Sequence, residues 1–118
     1  MALYSLVVFT NPVEGQDHEY NEWYTNVHLP DVLNIPGVVG AQRFRRSEIQ
    51  RDDGPFPWGY LAIYECDTDD VRSVIRELKA RGGTELMRMT DSLAKERFVC
   101  FFGPITDMRR APAQGVAA

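Results

Sequence analysis

His28 is the residue whose chemistry and position best suit catalysis. An imidazole with an ordinary pKa of about 6.5 can accept or donate a proton at neutral pH. It follows Tyr24 by four residues, the spacing that places two side chains on one helix face, and Pro30 disfavours helix at Leu29. We therefore expect His28 where a regular helix ends, at the mouth of a pocket between that helix and a sheet. The alternative is a histidine that only stabilises a helix C-terminus.

Three tyrosines are further catalytic candidates, because a phenol in an apolar pocket can donate a hydrogen bond to a carbonyl or enolate oxygen. They are Tyr24, Tyr60 and Tyr64. The alternative for each is a core position, where a buried tyrosine needs only one hydrogen-bond partner. Larger aromatic side chains are expected to wall the same pocket. These are Trp23, Trp58 and Phe9.

Polar neighbours complete the candidate site. Arg43 is expected to clamp a substrate carboxylate or phenolate, the alternative being an exposed or interface arginine. Asn26 is a candidate to orient His28 or to cap a carbonyl group. Asp31 is a second candidate to orient the imidazole, and a solvated carboxylate is the other interpretation.

Hydrophobic periodicity predicts the elements that must position these residues. Period-two apolar runs indicate four strands, over residues 2–10, 38–46, 58–66 and 96–103. Tyr20, Trp23, Tyr24 and Val27 show the i, i+3, i+4, i+7 spacing of a buried helical stripe, with Asp17 as the expected N-cap. A second helix is predicted over 67–81, capped by Asp67 or Thr68. A short third one is predicted over 85–93, with Leu86, Met89 and Leu93 inward.

This order predicts an α+β fold, the ferredoxin-like βαββαβ arrangement: a four-stranded antiparallel sheet with helices on one face. Residues 1–106 form the expected domain and 107–118 a flexible C-terminal tail. Three strands are apolar on both sides, yet the helices can cover only one face. We therefore expect a homodimer that buries sheet against sheet.

The run Tyr20-x-x-Trp23-Tyr24-x-x-x-His28-x-Pro30 resembles the first helix of the dimeric α+β barrel superfamily, in particular of its EthD-like families. The turn Pro36-Gly37 into a strand that carries Arg43 supports the same resemblance. The resemblance implies a dimeric barrel fold and a functional histidine at position 28. It leaves the activity open, since the superfamily includes lyases, isomerases, cyclases, cofactor-free monooxygenases, haem-degrading enzymes and ligand-sensing domains.

Composition limits the possible partners. The chain has 118 residues, a net charge of −4 and 44% hydrophobic residues. An acidic domain is a poor match for nucleic acid. No apolar run is long enough for a membrane span and no leader peptide is visible, so a cytoplasmic location is expected. Cys66 and Cys100 fall within apolar strand patterns and are interpreted as small buried hydrophobes.

These observations predict an enzyme of lyase, isomerase or cyclase type that needs no cofactor and no metal. His28 would move a proton on an apolar, aromatic or polyketide-like, carbonyl or phenolic substrate. The sequence has no metal-ligand spacing, phosphate loop or dinucleotide fingerprint. Three alternatives stay open: a cofactor-free monooxygenase, a haem-binding protein with His28 as axial ligand, and a ligand-binding module without chemistry.

Overall fold

The computed structural model describes residues 3–113. In chain order its elements are β1 (Leu3–Pro12), α1 (Asp17–Trp23), a π-helical turn (Tyr24–His28), α2 (Leu29–Leu33), β2 (Val38–Arg45), β3 (Tyr60–Asp67), α3 (Val71–Arg81) and β4 (Leu93–Phe102). The expected start of the first strand at Ala2 lies outside the described residues.

The four strands form one antiparallel sheet in the order β2-β3-β1-β4. The first and third strands are central, and Val7 pairs with Ile63 on one side and Cys100 on the other. The predicted α+β fold, a ferredoxin-like sheet with helices on one face, is therefore confirmed. Trp58 lies before β3 and not within it, so the third strand is shorter than predicted.

The first helical segment runs continuously from Asp17 to Leu33, and the prediction that the helix ends at His28 was wrong. A π turn joins α1 to α2, and the Leu29 N–H donates to the Tyr24 carbonyl five residues earlier. Pro30 then falls in the first turn of α2, where a missing N–H costs little. Asp17 is the first helical residue and makes no capping hydrogen bond, so it is not the N-cap.

The second predicted helix begins later than expected and the third does not exist. Asp70, and neither Asp67 nor Thr68, caps α3 by accepting a hydrogen bond from the Arg72 N–H. Residues 82–92 form a turn-rich loop in which the Thr84 hydroxyl accepts from the Leu86 N–H. Such a side-chain bond offers the backbone an alternative to helix. Met87 points inward from this loop, whereas Leu86 and Met89 are 56% and 46% exposed.

The core lies between the helices and one face of the sheet. Leu6, Ala62, Tyr64 and Cys66 supply its sheet side. The helical side comes from Tyr20, Trp23, Tyr24, Val32 and Val74. The predicted stripe of the first helix is thus confirmed. Cys66 is buried and Cys100 is half-buried, both as free thiols.

Strand β2 has a bulge that the alternation of inward and outward residues along the sequence does not predict. Its register with β3 shifts between Val38 and Gly40. Val38 is consequently buried, while Val39 is 58% exposed. Beyond the bulge Ala41 and Arg43 face the helices, opposite Tyr64 and Ala62.

On the other face of the sheet no helix is present among residues 3–113. Apolar side chains alternate with the core residues and meet in rows across the four strands. The row through the centre of the sheet contains Phe44, Leu61, Phe9 and Phe98, and neighbouring rows add Ile63, Val7, Cys100 and Phe102. Phe44, Phe98 and Phe102 are among the exposed large hydrophobic residues.

The chain after β4 has no regular secondary structure over residues 107–113, and these residues are exposed. The rest of the predicted tail, 114–118, lies outside the described residues. Among residues 3–113 no helix is both long and apolar enough to cross a membrane.

Candidate active site

A cavity of about 460 Å³ separates the helices from β1, β3 and β4. Most of its wall is apolar, and its polar side chains are Thr10, Tyr24, His28, Tyr64, Lys79 and Arg97. This combination of a mainly apolar wall with a few polar groups is typical of small-molecule sites. Of the candidates predicted from sequence, the fold brings His28, Tyr24, Tyr64 and Trp23 together here.

His28 sits at the end of the π turn, in a wall made of aromatic rings. Its ring stacks on Trp23 with centroids 4.6 Å apart and meets the Tyr24 ring edge-on at 5.0 Å. Burial lowers the pKa of His28 to about 4; the Asp31 carboxylate opposes this shift and the Arg43 charge adds to it. At neutral pH the imidazole is therefore uncharged and able to accept a proton.

Tyr64 and Tyr24 have the opposite protonation preference. Burial raises the pKa of Tyr24 to about 12 and also raises that of Tyr64; Tyr24 adds to the rise at Tyr64, whereas the interaction with Tyr64 lowers the pKa of Tyr24. Both phenols therefore keep their protons and can act as hydrogen-bond donors. The two phenols lie close enough for each to change the pKa of the other, although the Tyr64 hydroxyl makes no hydrogen bond of normal length and angle.

Two buried side-chain polar atoms of the described chain lack a hydrogen-bond partner, His28 Nδ1 and the Tyr64 hydroxyl oxygen. Both residues line the same cavity. An unpaired buried polar group costs about 1–3 kcal/mol, so native proteins contain few of them. Because both residues line one cavity, these two atoms are candidates for contact with a polar part of a ligand.

One interpretation of the sequence was that Asp31 orients the imidazole of His28. The structure shows no hydrogen bond between these two side chains. The buried Asp31 carboxylate accepts from the Arg88 backbone N–H at 3.0 Å and from the Arg88 guanidinium at 2.9 and 3.3 Å. These bonds hold the pKa of Asp31 below its usual value. The Arg88 carbonyl in turn accepts from Trp23 Nε1 at 2.8 Å. Asp31 thus ties the helix end to the 82–92 loop, whose Met87 and Met89 close part of the cavity.

Arg43 does not line the cavity. Its guanidinium donates to Thr25 Oγ1 and to Asn21 Oδ1, both at 2.9 Å, and lies 4.5 Å from the Tyr24 ring centroid. These contacts join the first helical segment to β2. They occupy guanidinium N–H groups that Arg43 would need to bind a substrate anion. The predicted role in substrate binding has no support in this geometry.

Four other candidates lie away from the cavity. Asn26 is exposed on the π turn. Tyr60 donates to Asp17 and accepts from Asn21 at the start of the first helix. Phe9 lies on the open face of the sheet, where it contacts Trp58 and Phe98. Tyr60, Trp58 and Phe9 share a separate, shallower depression next to the β2–β3 loop.

The sequence analysis missed several cavity residues. Thr10 faces the cavity, and its hydroxyl forms a buried hydrogen bond with the Tyr20 hydroxyl. Arg97 lies opposite Thr10 in the register of β1 and β4, so strand alternation contained the information that places it on the same face. Lys79 follows the inward Leu78 on α3. Among residues 3–113 no group of three or more His, Cys, Asp or Glu side chains could hold a metal ion.

Comparisons with solved structures find EthD-like proteins. An EthD-like protein from Ralstonia eutropha JMP134 has a TM-score of 0.63 and 15% sequence identity, covering 92% of this chain and 96% of the other. An ethyl tert-butyl ether D (EthD) family protein from Bacillus halodurans C-125 has a TM-score of 0.52 and 16% identity, covering 89% and 100%. No family model and no curated protein matches the sequence. The EthD-like, ferredoxin-like fold expected from the Tyr20–Pro30 resemblance is confirmed.

The unpaired Tyr64 hydroxyl predicts an unusual stability result. Tyr64→Phe removes a buried polar group that has no partner, so the free energy of unfolding should stay equal or rise by up to about 1 kcal/mol. Tyr20→Phe is the matched control, because it breaks a buried hydrogen bond with Thr10 and should lower that free energy by about 1 kcal/mol. Urea unfolding followed by circular dichroism measures both. A clear loss of stability in Tyr64→Phe would mean that the hydroxyl has a partner.

The lowered pKa of His28 predicts a pH-dependent stability. Between about pH 6.5 and pH 4 the unfolded histidine binds a proton that the folded one does not, so stability falls as the pH falls. The expected loss is on the order of 2–3 kcal/mol across this window. In His28→Gln the free energy of unfolding should depend less on pH there. His18→Gln, at an exposed position, is the matched control; equal slopes in the wild type and His28→Gln would contradict the assignment.

Proposed function

We propose that the protein is a small-molecule enzyme that transfers protons without a bound cofactor. The observation that carries this proposal is the pairing of an uncharged His28 imidazole with the protonated Tyr64 hydroxyl, both buried and unpaired in one apolar cavity. An uncharged imidazole that can accept a proton and a protonated phenol that can donate a hydrogen bond are the two groups that proton abstraction next to a carbonyl group requires.

The reaction follows from the roles of these two groups. His28 accepts a proton from the carbon next to a carbonyl, and the electron pair moves to the carbonyl oxygen, which gains negative charge. The Tyr64 hydroxyl donates a hydrogen bond to this oxygen and stabilises the enolate. Return of the proton to a different carbon, or loss of a leaving group, gives isomerase or lyase chemistry. The flat rings of Trp23 and Tyr24, which meet edge-on in the cavity wall, favour an aromatic or similarly flat substrate.

Exchange of a ketone's α-hydrogens in D₂O tests the first step. With 2-tetralone as probe, ¹H NMR should show deuterium incorporation that the enzyme accelerates. His28→Gln should lower the rate by at least about 100-fold, and Tyr64→Phe by about 100-fold, while both remain folded. His18→Gln is the control and should exchange at the wild-type rate. An undiminished rate in His28→Gln would overturn the proposed base.

An oxidative reaction is the competing possibility, because the same base and donor suit deprotonation of a phenol before attack by oxygen. Oxygen consumption with a naphthol, measured with an oxygen electrode, separates the two. Uptake that depends on His28 would assign a cofactor-free monooxygenase. Saturable binding without exchange or uptake would assign a ligand-binding module.

The functional unit we propose is a homodimer. The sheet face opposite the cavity exposes apolar side chains in rows across four strands, and a single such patch on a soluble domain is an association surface. A second copy of the chain can cover it by a symmetric contact in which each residue meets its equivalent region on the partner. The cavity lies on the other side of the sheet, so this dimer leaves it open.

Phe98→Asp tests the dimer. Phe98 is 49% exposed on the open face, so a charge there costs the monomer little but destabilises the interface. Light scattering after gel filtration should show a dimer for the wild type and a monomer for the variant. Leu86→Asp, a similar change on the 82–92 loop, should remain dimeric. A wild-type monomer would contradict the proposal.

A further inference from the structure

The cavity is positively charged although the chain is acidic. The protein has 17 acidic and 13 basic residues, a net charge of −4. The cavity wall nevertheless contains Lys79 and Arg97 and no aspartate or glutamate. A wall of this composition creates a local potential opposite in sign to that of the whole molecule.

These two cations lie on different layers of the fold, one on a helix and one on the sheet. Lys79 lies in the last turn of α3, and Arg97 lies on the edge strand β4, opposite Thr10 of β1. Within residues 3–113 neither side chain takes part in an ion pair or a hydrogen bond. Other arginines are paired: Arg81 with Glu77 and Arg88 with Asp31.

The two cations mark the water-exposed end of the cavity. Lys79 and Arg97 are exposed, as are Met89 and Val99, which line the same opening. The buried residues Tyr24 and Tyr64 and the half-buried His28, whose Nδ1 is buried, lie further in. The lining of the cavity therefore changes with depth: cations and apolar side chains lie at the opening, and two uncharged polar side chains lie inside.

We infer that the natural ligand is an amphipathic anion, with a carboxylate or similar acidic group at one end of a hydrocarbon body. Lys79 and Arg97 hold the acidic group at the opening, and the body reaches inward to His28 and Tyr64. This inference rests on the proposed use of the same cavity for catalysis. It also moves the anion-binding role from Arg43, whose guanidinium is bound to Thr25 and Asn21, to two residues that have no such partners.

The charge of the ligand can be tested with two probes of nearly equal shape. Isothermal titration calorimetry compares 2-naphthoate with its uncharged counterpart 2-naphthamide at low salt. Two exposed charge contacts together should favour naphthoate by about tenfold. The preference should shrink as salt is added, because exposed charges are screened. In the double variant Lys79→Gln/Arg97→Gln the two affinities should become equal, mainly through weaker naphthoate binding.

Matched controls lie on the same elements. Arg76→Gln on α3 and Lys95→Gln on β4 remove exposed cations that do not line the cavity, and both should keep the tenfold preference. His28→Gln and Tyr64→Phe should keep it too, since they change the other end of the cavity.

The outcomes separate this inference from the proposed function. Equal binding of both probes by the wild type, or a naphthoate preference that survives in the double variant, would overturn the inference and leave the proton-transfer proposal intact. Failure of both probes to bind would count against the cavity as a ligand site and so against both proposals. A preference lost equally in the Arg76 or Lys95 control would show only a general effect of net charge, and would also overturn the assignment.

Discussion

Packing of the first helix's aromatic rings against the central strands is the interaction on which the site depends. Tyr20 and Tyr64 are fully buried, and Tyr20, Trp23 and Tyr24 form a chain of ring contacts at 5.0–5.6 Å that extends to Tyr60 on β3 and, through Trp23, to His28 at 4.6 Å. Trp23 and Tyr24 of this chain of rings also line the cavity between the helices and the sheet, so the aromatic packing places part of the cavity wall.

Polar contacts at the edges of this aromatic layer set its position. Arg43 bonds to the first helix from β2 and covers the Tyr24 ring. At the other end Asp31 binds Arg88, whose carbonyl accepts from the Trp23 indole. The helix is thereby attached to the sheet on one side and to the 82–92 loop on the other. These residues position the wall of the cavity. The proposed chemistry uses groups that have no such partners.

The π turn lets the helical segment continue past Pro30 while His28 lines the cavity. A straight α-helix interrupted by Pro30 would have ended at the histidine, exposing it to solvent and leaving its pKa near the ordinary value. The wider turn lets the helix continue into α2, which brings Val32 and Asp31 into buried positions behind His28. Burial rather than a specific charge then keeps the imidazole neutral. π turns of this kind often occur at functional sites, where they place a side chain that a regular helix would direct elsewhere.

The sequence by itself determined the order of strands and helices along the chain and the aromatic stripe from Tyr20 to Val27, and it made His28 the first candidate for catalysis. These depend on short-range periodicity and on side-chain type, which are present in the chain before it folds. Only the tertiary structure decided which polar groups share a cavity. Tyr60 and Tyr64 lie four residues apart on the same face of β3. Tyr60 forms hydrogen bonds with Asp17 and Asn21, whereas the Tyr64 hydroxyl has no partner of normal hydrogen-bond geometry. Arg43 and Arg97 are both strand arginines, and their roles differ because Asn21 and Thr25 lie above one strand and a cavity above the other. The partners of a polar group come from distant parts of the chain, and a local pattern cannot contain them.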